Sequence, residues 1–293
     1  MRILVAVDQN PYSAHAVNEV ARLSANTWAN VTLLGVQTKK SLSDDFSREW
    51  TAEFPLPKAL IKYREDFLGH FKEDECPYIQ RKFGYALIET RKNVWEELYV
   101  AKSARKDLKT RIRIGNPAKE ILSEAIEEES DLIVLGCDNS RDCAWEGANN
   151  LPQKIVNDAP CSVLVIKEER HVDKIVCCLD HDLVSQESLE MINQLVTLHG
   201  AKLALIGLTE GEALKAEVAK KMDAILRYYT ARDIEPWIKI VDLASLDFFI
   251  SQEAKCGMMA LWMGKKSILE KVFPKRKVTK LIKGSESSVL ILR

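Results

Sequence analysis

Two aspartates stand where a ligand or a helix start could use them. Asp8 closes the apolar run Ile3-Leu4-Val5-Ala6-Val7, and Asp180 closes Ile175-Val176-Cys177-Cys178-Leu179. A carboxylate after a buried strand can cap the next helix, hold the turn, or meet a ligand. A second candidate is Gly264-Lys265-Lys266-Ser267, which has the lysine and hydroxyl that end a Walker phosphate loop. The glycine needed five positions earlier is Met259, so that motif is not formed. Lys265, Lys266, Lys271, Lys275, Arg276, Lys277, Lys280 and Lys283 nevertheless face only Glu270 along this stretch. They read either as a local anion site or as a solvated, lysine-rich helix face.

Other chemistries lack their signatures. Gly-x-Gly-x-x-Gly, Gly-x-Ser-x-Gly, His-Glu-x-x-His and Cys-x-x-Cys are missing from the sequence, which removes dinucleotide, serine hydrolase, zincin and thioredoxin readings. Histidines 15, 70, 171, 181 and 199 are dispersed, so no catalytic base stands out. The seven cysteines are odd in number and scattered, which argues against a disulfide framework and for reduced thiols. Cys177 and Cys178 are strand neighbours pointing to opposite faces, hence core residues. Cys137 and Cys143 are close enough to meet within one loop, a candidate redox pair.

The elements that must position these residues come from apolar periodicity. The run ending at Asp8 is a strand buried on both faces. Asn10 and Pro11 then open a helix with a stripe at Ala14, Val17, Val20, Ala21 and Leu23. Val31 to Val36 is the next strand. Lys174 to Asp180 and Lys202 to Leu208 repeat this strand–helix–strand unit in the second half. Both halves close alike, through Asp131 to Gly136 and Ser162 to Ile166 in the first, and Met258 to Gly264 and Ser288 to Leu292 in the second. Gly115-Asn116-Pro117 starts a helix with one face at Ala118, Ile121, Leu122, Ala125 and Ile126, and Asp242 starts its counterpart without that turn. Glu168-Glu169-Arg170-His171 is the natural linker. Asp8 and Gly136 are 128 positions apart and Asp180 and Gly264 only 84, so the first half carries an insertion, placed at about 38–85 with a helix from Ala59 to Glu73.

Composition sets the frame. The 293 residues are 46% hydrophobic, enough for two domains with separate cores. With 42 basic against 43 acidic residues, a net charge of -1 gives no global attraction to nucleic acid or to an anionic membrane. No apolar run reaches the ~20 residues of a spanning helix, and the first is too short for a signal peptide, so the expectation is a soluble, cytoplasmic chain.

The end of the first half carries a resemblance. Ala159-Pro160-Cys161-Ser162-Val163-Leu164-Val165 matches the Ala-Pro-Cys-Pro-Val-Leu-Val-like last strand of universal stress proteins. Those proteins also end their first strand in aspartate and follow the fourth with Gly, two residues, Gly, nine residues and Gly-Ser/Thr. Gly136 keeps the first position, Asn139 and Asn149 replace the later glycines, and Asn150 replaces the hydroxyl residue. The chain resembles a tandem member of this family. The resemblance implies α/β architecture: two tandem doubly wound domains with parallel five-stranded sheets of the adenine-nucleotide-hydrolase-like type, at 1–167 and 172–293. One chain would imitate the family's dimer, with Val163 to Ile166 and Val289 to Leu292 as the pairing edges and a further homodimer open.

It also implies a non-catalytic, stress-associated regulatory protein. ATP, with Mg, is the cofactor that such loops hold in binding members, where backbone amides and a hydroxyl at a helix start meet the phosphates. The positions carried over are Asp8, Val36, Gly136, Asn139, Asn149 and Asn150, with Asp180, Gly264, Lys265 and Ser267 as second-half equivalents. Asparagine tolerates the loop's backbone, but its side chain takes space that phosphates need. Trp145 either plugs the crevice or anchors the loop. An ATP-binding switch and an interaction scaffold with a protein partner, using the insertion or the basic 265–283 stretch, stand beside the degenerate reading.

Overall fold

The computed structural model describes residues 1–38, 54–72, 76–78, 87–97, 106–138, 143, 145, 148–167, 172–178, 184–209, 216–263, 269 and 273–293. They fall into two compact units, Met1–Ile166 and Lys167–Arg293.

The first unit runs β1 (Arg2–Val7), α1 (Pro11–Asn26), β2 (Asn30–Gln37), α2 (Pro55–Gly69), β3 (Leu87–Arg91), β4 (Val94–Glu97), β5 (Leu108–Ile114), α3 (Pro117–Glu127), β6 (Leu132–Gly136), α4 (Leu151–Asp158) and β7 (Ser162–Ile166). Its strands are ordered β7-β6-β1-β2-β5-β4-β3. From β7 to β5 every pairing is parallel, which is the expected five-stranded sheet. The β3–β4 hairpin then extends the edge antiparallel to β5. Lys92 and Asn93 form its two-residue turn, with Asn93 at φ 63°, a conformation that asparagine adopts at low cost. The helices of the crossovers pack in pairs, α1 against α2 and α3 against α4. The strand order reverses between β1 and β6, and their carboxyl ends frame the crevice where open α/β sheets take ligands.

Local departures from the periodic reading have physical causes. The buried face of α1 includes Tyr12, Ala16 and Val20, while Ala14 is only half-buried. The α3 helix buries Ile121, Ala125 and the carboxylate of Glu124, and leaves Ile126 63% exposed. Glu124 is acceptable there because Arg111 and Arg113 on β5 each donate to it, at 2.5 and 2.7 Å. Burial alone would lower the Arg111 pKa, but its bonds to Glu128 and Glu124 and the charge of Glu96 more than offset this and raise it. Asn116 caps α3, its Oδ1 accepting from Lys119 N at 3.2 Å, with Pro117 in the first turn as expected.

The helix expected over Ala59 to Glu73 instead runs Pro55–Gly69. Leu56 and Leu60 of α2 lie against Gly35, where a Cβ would sit 2.9 Å from Leu56 Cδ1. Parts of the 38–85 insertion, residues 39–53, 73–75 and 79–85, lie outside the described residues.

The second unit runs β8 (Lys174–Cys178), α5 (Gln186–His199), β9 (Lys202–Thr209), α6 (Ala216–Thr230), β10 (Trp237–Asp242), a 3-10 turn (Leu243–Ser245), α7 (Leu246–Glu253), β11 (Met258–Trp262), α8 (Lys275–Gly284) and β12 (Val289–Leu292). Its strands are ordered β10-β9-β8-β11-β12, parallel throughout. The repeat is therefore structural, and α6 stands where α2 stands in the first unit. An α2 helix is thus part of the shared plan, and the β3–β4 hairpin is the described element without a counterpart. Asp242 starts the turn into α7 as expected, its Oδ1 accepting from Ala244 N at 2.8 Å. On α8, Val278, Leu281 and Ile282 are buried, and Lys275, Arg276 and Lys280 face solvent. Lys277 pairs with Asp247 of α7 at 2.6 Å, so the basic stretch has an acidic partner besides Glu270. Cys177 and Cys178 are both buried, in keeping with core roles.

Candidate functional site

The register puts three of the expected site residues at one edge. Val7 lies beside Gly35, and Ala6 beside Leu135, so Asp8, Val36 and Gly136 end adjacent strands at the same level. Asp8 is 4% exposed. Its carboxylate is held by the residues that begin α1. Oδ1 accepts from Asn10 N at 3.0 Å and from Ser13 Oγ at 2.9 Å. Oδ2 accepts from Asn10 Nδ2 at 2.7 Å and from Tyr12 Oη at 2.5 Å. Asp8 N in turn donates to Ser13 Oγ at 3.0 Å. Asn10 was expected to cap α1 with its side chain; it makes no side-chain cap, and its Nδ2 donates to Asp8 instead.

Two tyrosines seal this network. Tyr12 is buried, and burial followed by its bond to Asp8 pushes its pKa well above the ordinary range. Tyr63 of α2 donates to the Asn10 carbonyl at 3.1 Å. Burial, then the Asp8 charge, pushes Tyr63 up to about 12.

Gly136 is fitted to the same helix start. A Cβ there would lie 2.2 Å from the Tyr12 carbonyl oxygen and 2.6 Å from its carbon, so no larger residue fits without moving backbone. Trp145 closes the other side. Its Nε1 donates to the Gly136 carbonyl at 2.9 Å, its ring centroid lies 5.6 Å from that of Tyr12, and it is 7% exposed. Tyr12 and Trp145 thus occupy the end of β6, where strand order reverses. The indole is tied to the end of β6 and set against Tyr12.

The remaining positions are less concentrated. Asn149 is exposed in the turn before α4. Asn150 takes the left-handed conformation (φ 55°, ψ 38°) at the start of that helix and makes no side-chain cap. Among the described residues its buried Oδ1 has no hydrogen-bond partner, nor do the two amide atoms of Gln153 one turn on. Asn139, and the second-half residues Asp180, Gly264, Lys265 and Ser267, lie outside the described residues.

The loop also carries a covalent link. Cys137 and Cys143 are joined in a disulfide with Cα atoms 5.1 Å apart, so these two thiols are not reduced as the scattered cysteines suggested. Their sulfurs and Asp138 lie within 4.8 Å of one another, a metal-ligand grouping in principle, but the disulfide uses both sulfurs. A cavity of about 240 Å³ lined by Arg2, Asn30, Asp107, Lys109 and Glu128 lies at the amino ends of β1, β2 and β5. That is the opposite end of the sheet from the switch point, so it is not the candidate site.

Sequence reasoning missed Asn10, Tyr12, Ser13 and Tyr63 as parts of this site. The spacing of Tyr12 and Ser13, four and five residues after Asp8 across a strand-to-helix turn, is the signal that could have found the first three.

Residues 1–167 match the model of the universal stress protein family. The chain belongs to the universal stress protein family. A universal stress protein from Archaeoglobus fulgidus DSM 4304 is similar over 100% of this chain and 96% of its own, at 15% identity and TM-score 0.59. The cytoplasmic domain of a prokaryotic cation chloride cotransporter is similar over 99% of this chain and 94% of its own, at 12% identity and TM-score 0.51. These likenesses place the tandem universal stress fold over the whole chain. A universal stress protein solved in complex with cAMP is similar over 57% of this chain and 96% of its own, at 14% identity and TM-score 0.37. No curated protein matches the sequence. No described helix is long and apolar enough to cross a membrane.

Proposed function

We propose that this universal stress protein is a non-catalytic, stress-associated regulatory protein whose first-unit nucleotide crevice is filled by its own side chains. The observation that carries the reading is the engagement of the Asp8 carboxylate by Asn10, Tyr12 and Ser13, with Trp145 and Tyr12 packed at the end of β6. A nucleoside at Asp8 would have to displace several short hydrogen bonds that cost nothing to keep. A phosphate approaching Gly136 would meet the Trp145 indole. The residues as arranged therefore do not fit ATP, and Asn139, Asn149 and Asn150 in place of two glycines and a hydroxyl residue point the same way. Regulation would then run through protein contacts, the scaffold reading in which the partner is another protein.

A second reading is favoured by one observation. Asn150 and Gln153 leave buried amide atoms unpaired in the first turn of α4, and an unpaired buried polar atom is costly. An adenine nucleotide, with Mg, taken at Asp8, Val36, Gly136, Asn149 and Asn150 would give those amides partners once Trp145 had left Gly136. Thermal unfolding of the full chain with Mg-ATP, Mg-ADP and cAMP separates the readings, because a ligand of the folded state raises the midpoint. Unchanged midpoints with all three are expected. A rise that saturates with concentration for any of them would replace the first reading by the second.

A further inference from the structure

We propose that Cys137 and Cys143 form a reversible disulfide whose redox state decides whether Trp145 is held in the crevice. Cys137 is fixed, since it follows β6 directly and its N donates to the Ile166 carbonyl of β7 at 2.8 Å. Cys143 is on the loop, two residues before Trp145, and occupies the left-handed region at φ 44°. A cysteine gains nothing from that backbone conformation, so a constraint must hold it. The link to Cys137 is one such constraint. It spans only six residues, and closing so short a loop restrains the unfolded chain less than closing a long one. Its effect is therefore local: it ties the strand that carries Gly136 to the loop whose indole bonds the Gly136 carbonyl and packs on Tyr12.

Cys177 and Cys178 do not compete for this role. They are buried, and burial raises both thiols, Cys178 to about 12, so they stay protonated and slow to react. Neither lies in the loop.

A low-molecular-weight disulfide such as oxidised glutathione supplies the oxidant. One cysteine thiolate attacks it, forming a mixed disulfide and releasing one reduced glutathione. The second cysteine then attacks the protein sulfur of the mixed disulfide, giving the Cys137–Cys143 bond and a second reduced glutathione. The two protein thiols lose two electrons and two protons, and the glutathione disulfide gains them. Excess reduced glutathione runs the sequence backwards. Both sulfurs are buried, so exchange proceeds through local opening of the loop. The inference concerns these thiols and Trp145 and stands whether or not the crevice takes a nucleotide.

The test uses the full chain equilibrated with oxidised or reduced glutathione. Peptide mapping after alkylation reads the bond, and hydrogen exchange reads the peptide that contains residues 137–148. Oxidised protein is expected to carry the Cys137–Cys143 bond and to protect this peptide, with exchange about tenfold faster on reduction. Cys143→Ser should exchange at the reduced rate in both buffers. The comparison of the two wild-type states needs no variant, so misfolding of Cys143→Ser leaves the test intact. Three results would overturn the proposal: both thiols alkylated in oxidised glutathione, a bond that forms without changing exchange, or a reduced chain that binds one zinc ion at Cys137 and Cys143.

Discussion

Replacing Asp8 distinguishes a structural carboxylate from one held ready for a ligand. Four donors converge on it within 3.0 Å, two of them hydroxyls in surroundings almost closed to water. Hydrogen bonds to a charged group are worth about 1.5–3 kcal/mol each and do not add, because partners re-pair. Here Asn10 Nδ2 already lies 2.8 Å from Tyr12 Oη and can keep that bond without Asp8. Ser13 Oγ keeps its contacts with the Asp8 backbone N and with Tyr63. Truncation to alanine should then destabilise the first unit by about 3 kcal/mol, roughly a 6–12 °C fall in its unfolding midpoint. Asp8→Asn should fall between, since one acceptor oxygen remains and the new amide faces donors. Native-state hydrogen exchange reads the two units separately, with the second as internal reference. If Asp8→Ala leaves first-unit stability within about 0.5 kcal/mol of wild type, the network does not support the fold and the argument from it fails.

Other outcomes follow from the same packing. Gly136→Ala places a methyl against Tyr12 backbone and should destabilise by about 3 kcal/mol, whereas Gly35→Ala meets only the movable ends of Leu56 and Leu60 and should cost about 1 kcal/mol; urea unfolding of both compares them. Glu124→Gln leaves Arg111 and Arg113 sharing a neutral acceptor in the core and should lose about 3 kcal/mol by the same assay. Tyr63 has its folded pKa raised, so its contribution is full below the unfolded value near 10 and is lost as pH rises through about 12. Its phenol should ionise late in a spectrophotometric titration, and Tyr63→Phe should flatten the alkaline loss of stability.

Much of the fold was legible because parallel strands are buried on both faces and leave unbroken apolar runs, as at Ile3 to Val7 and Leu132 to Gly136. The repeat was legible for the same reason. β5 is harder to read, since Arg111 and Arg113 interrupt its pattern and become buried only through Glu124, Glu96 and Glu120, residues distant in sequence. The β3–β4 hairpin escaped notice because its short strands carry charges and its turn signal, Lys92-Asn93, is brief. At the site, spacing placed Asp8, Val36 and Gly136 together. It did not reveal what occupies the space between them, because that depends on the rotamers of Tyr12 and Trp145 and on which donors reach Asp8 first. The Cys137–Cys143 link is of the same kind: six residues of separation permit closure, and only the loop's path brings it about.

Calorimetric titration of the full chain with Mg-ATP tests the central claim most directly. An occupied crevice predicts no binding heat up to millimolar ATP. One site per chain at micromolar affinity would contradict it, and would mean that Tyr12 and Trp145 yield to the nucleotide.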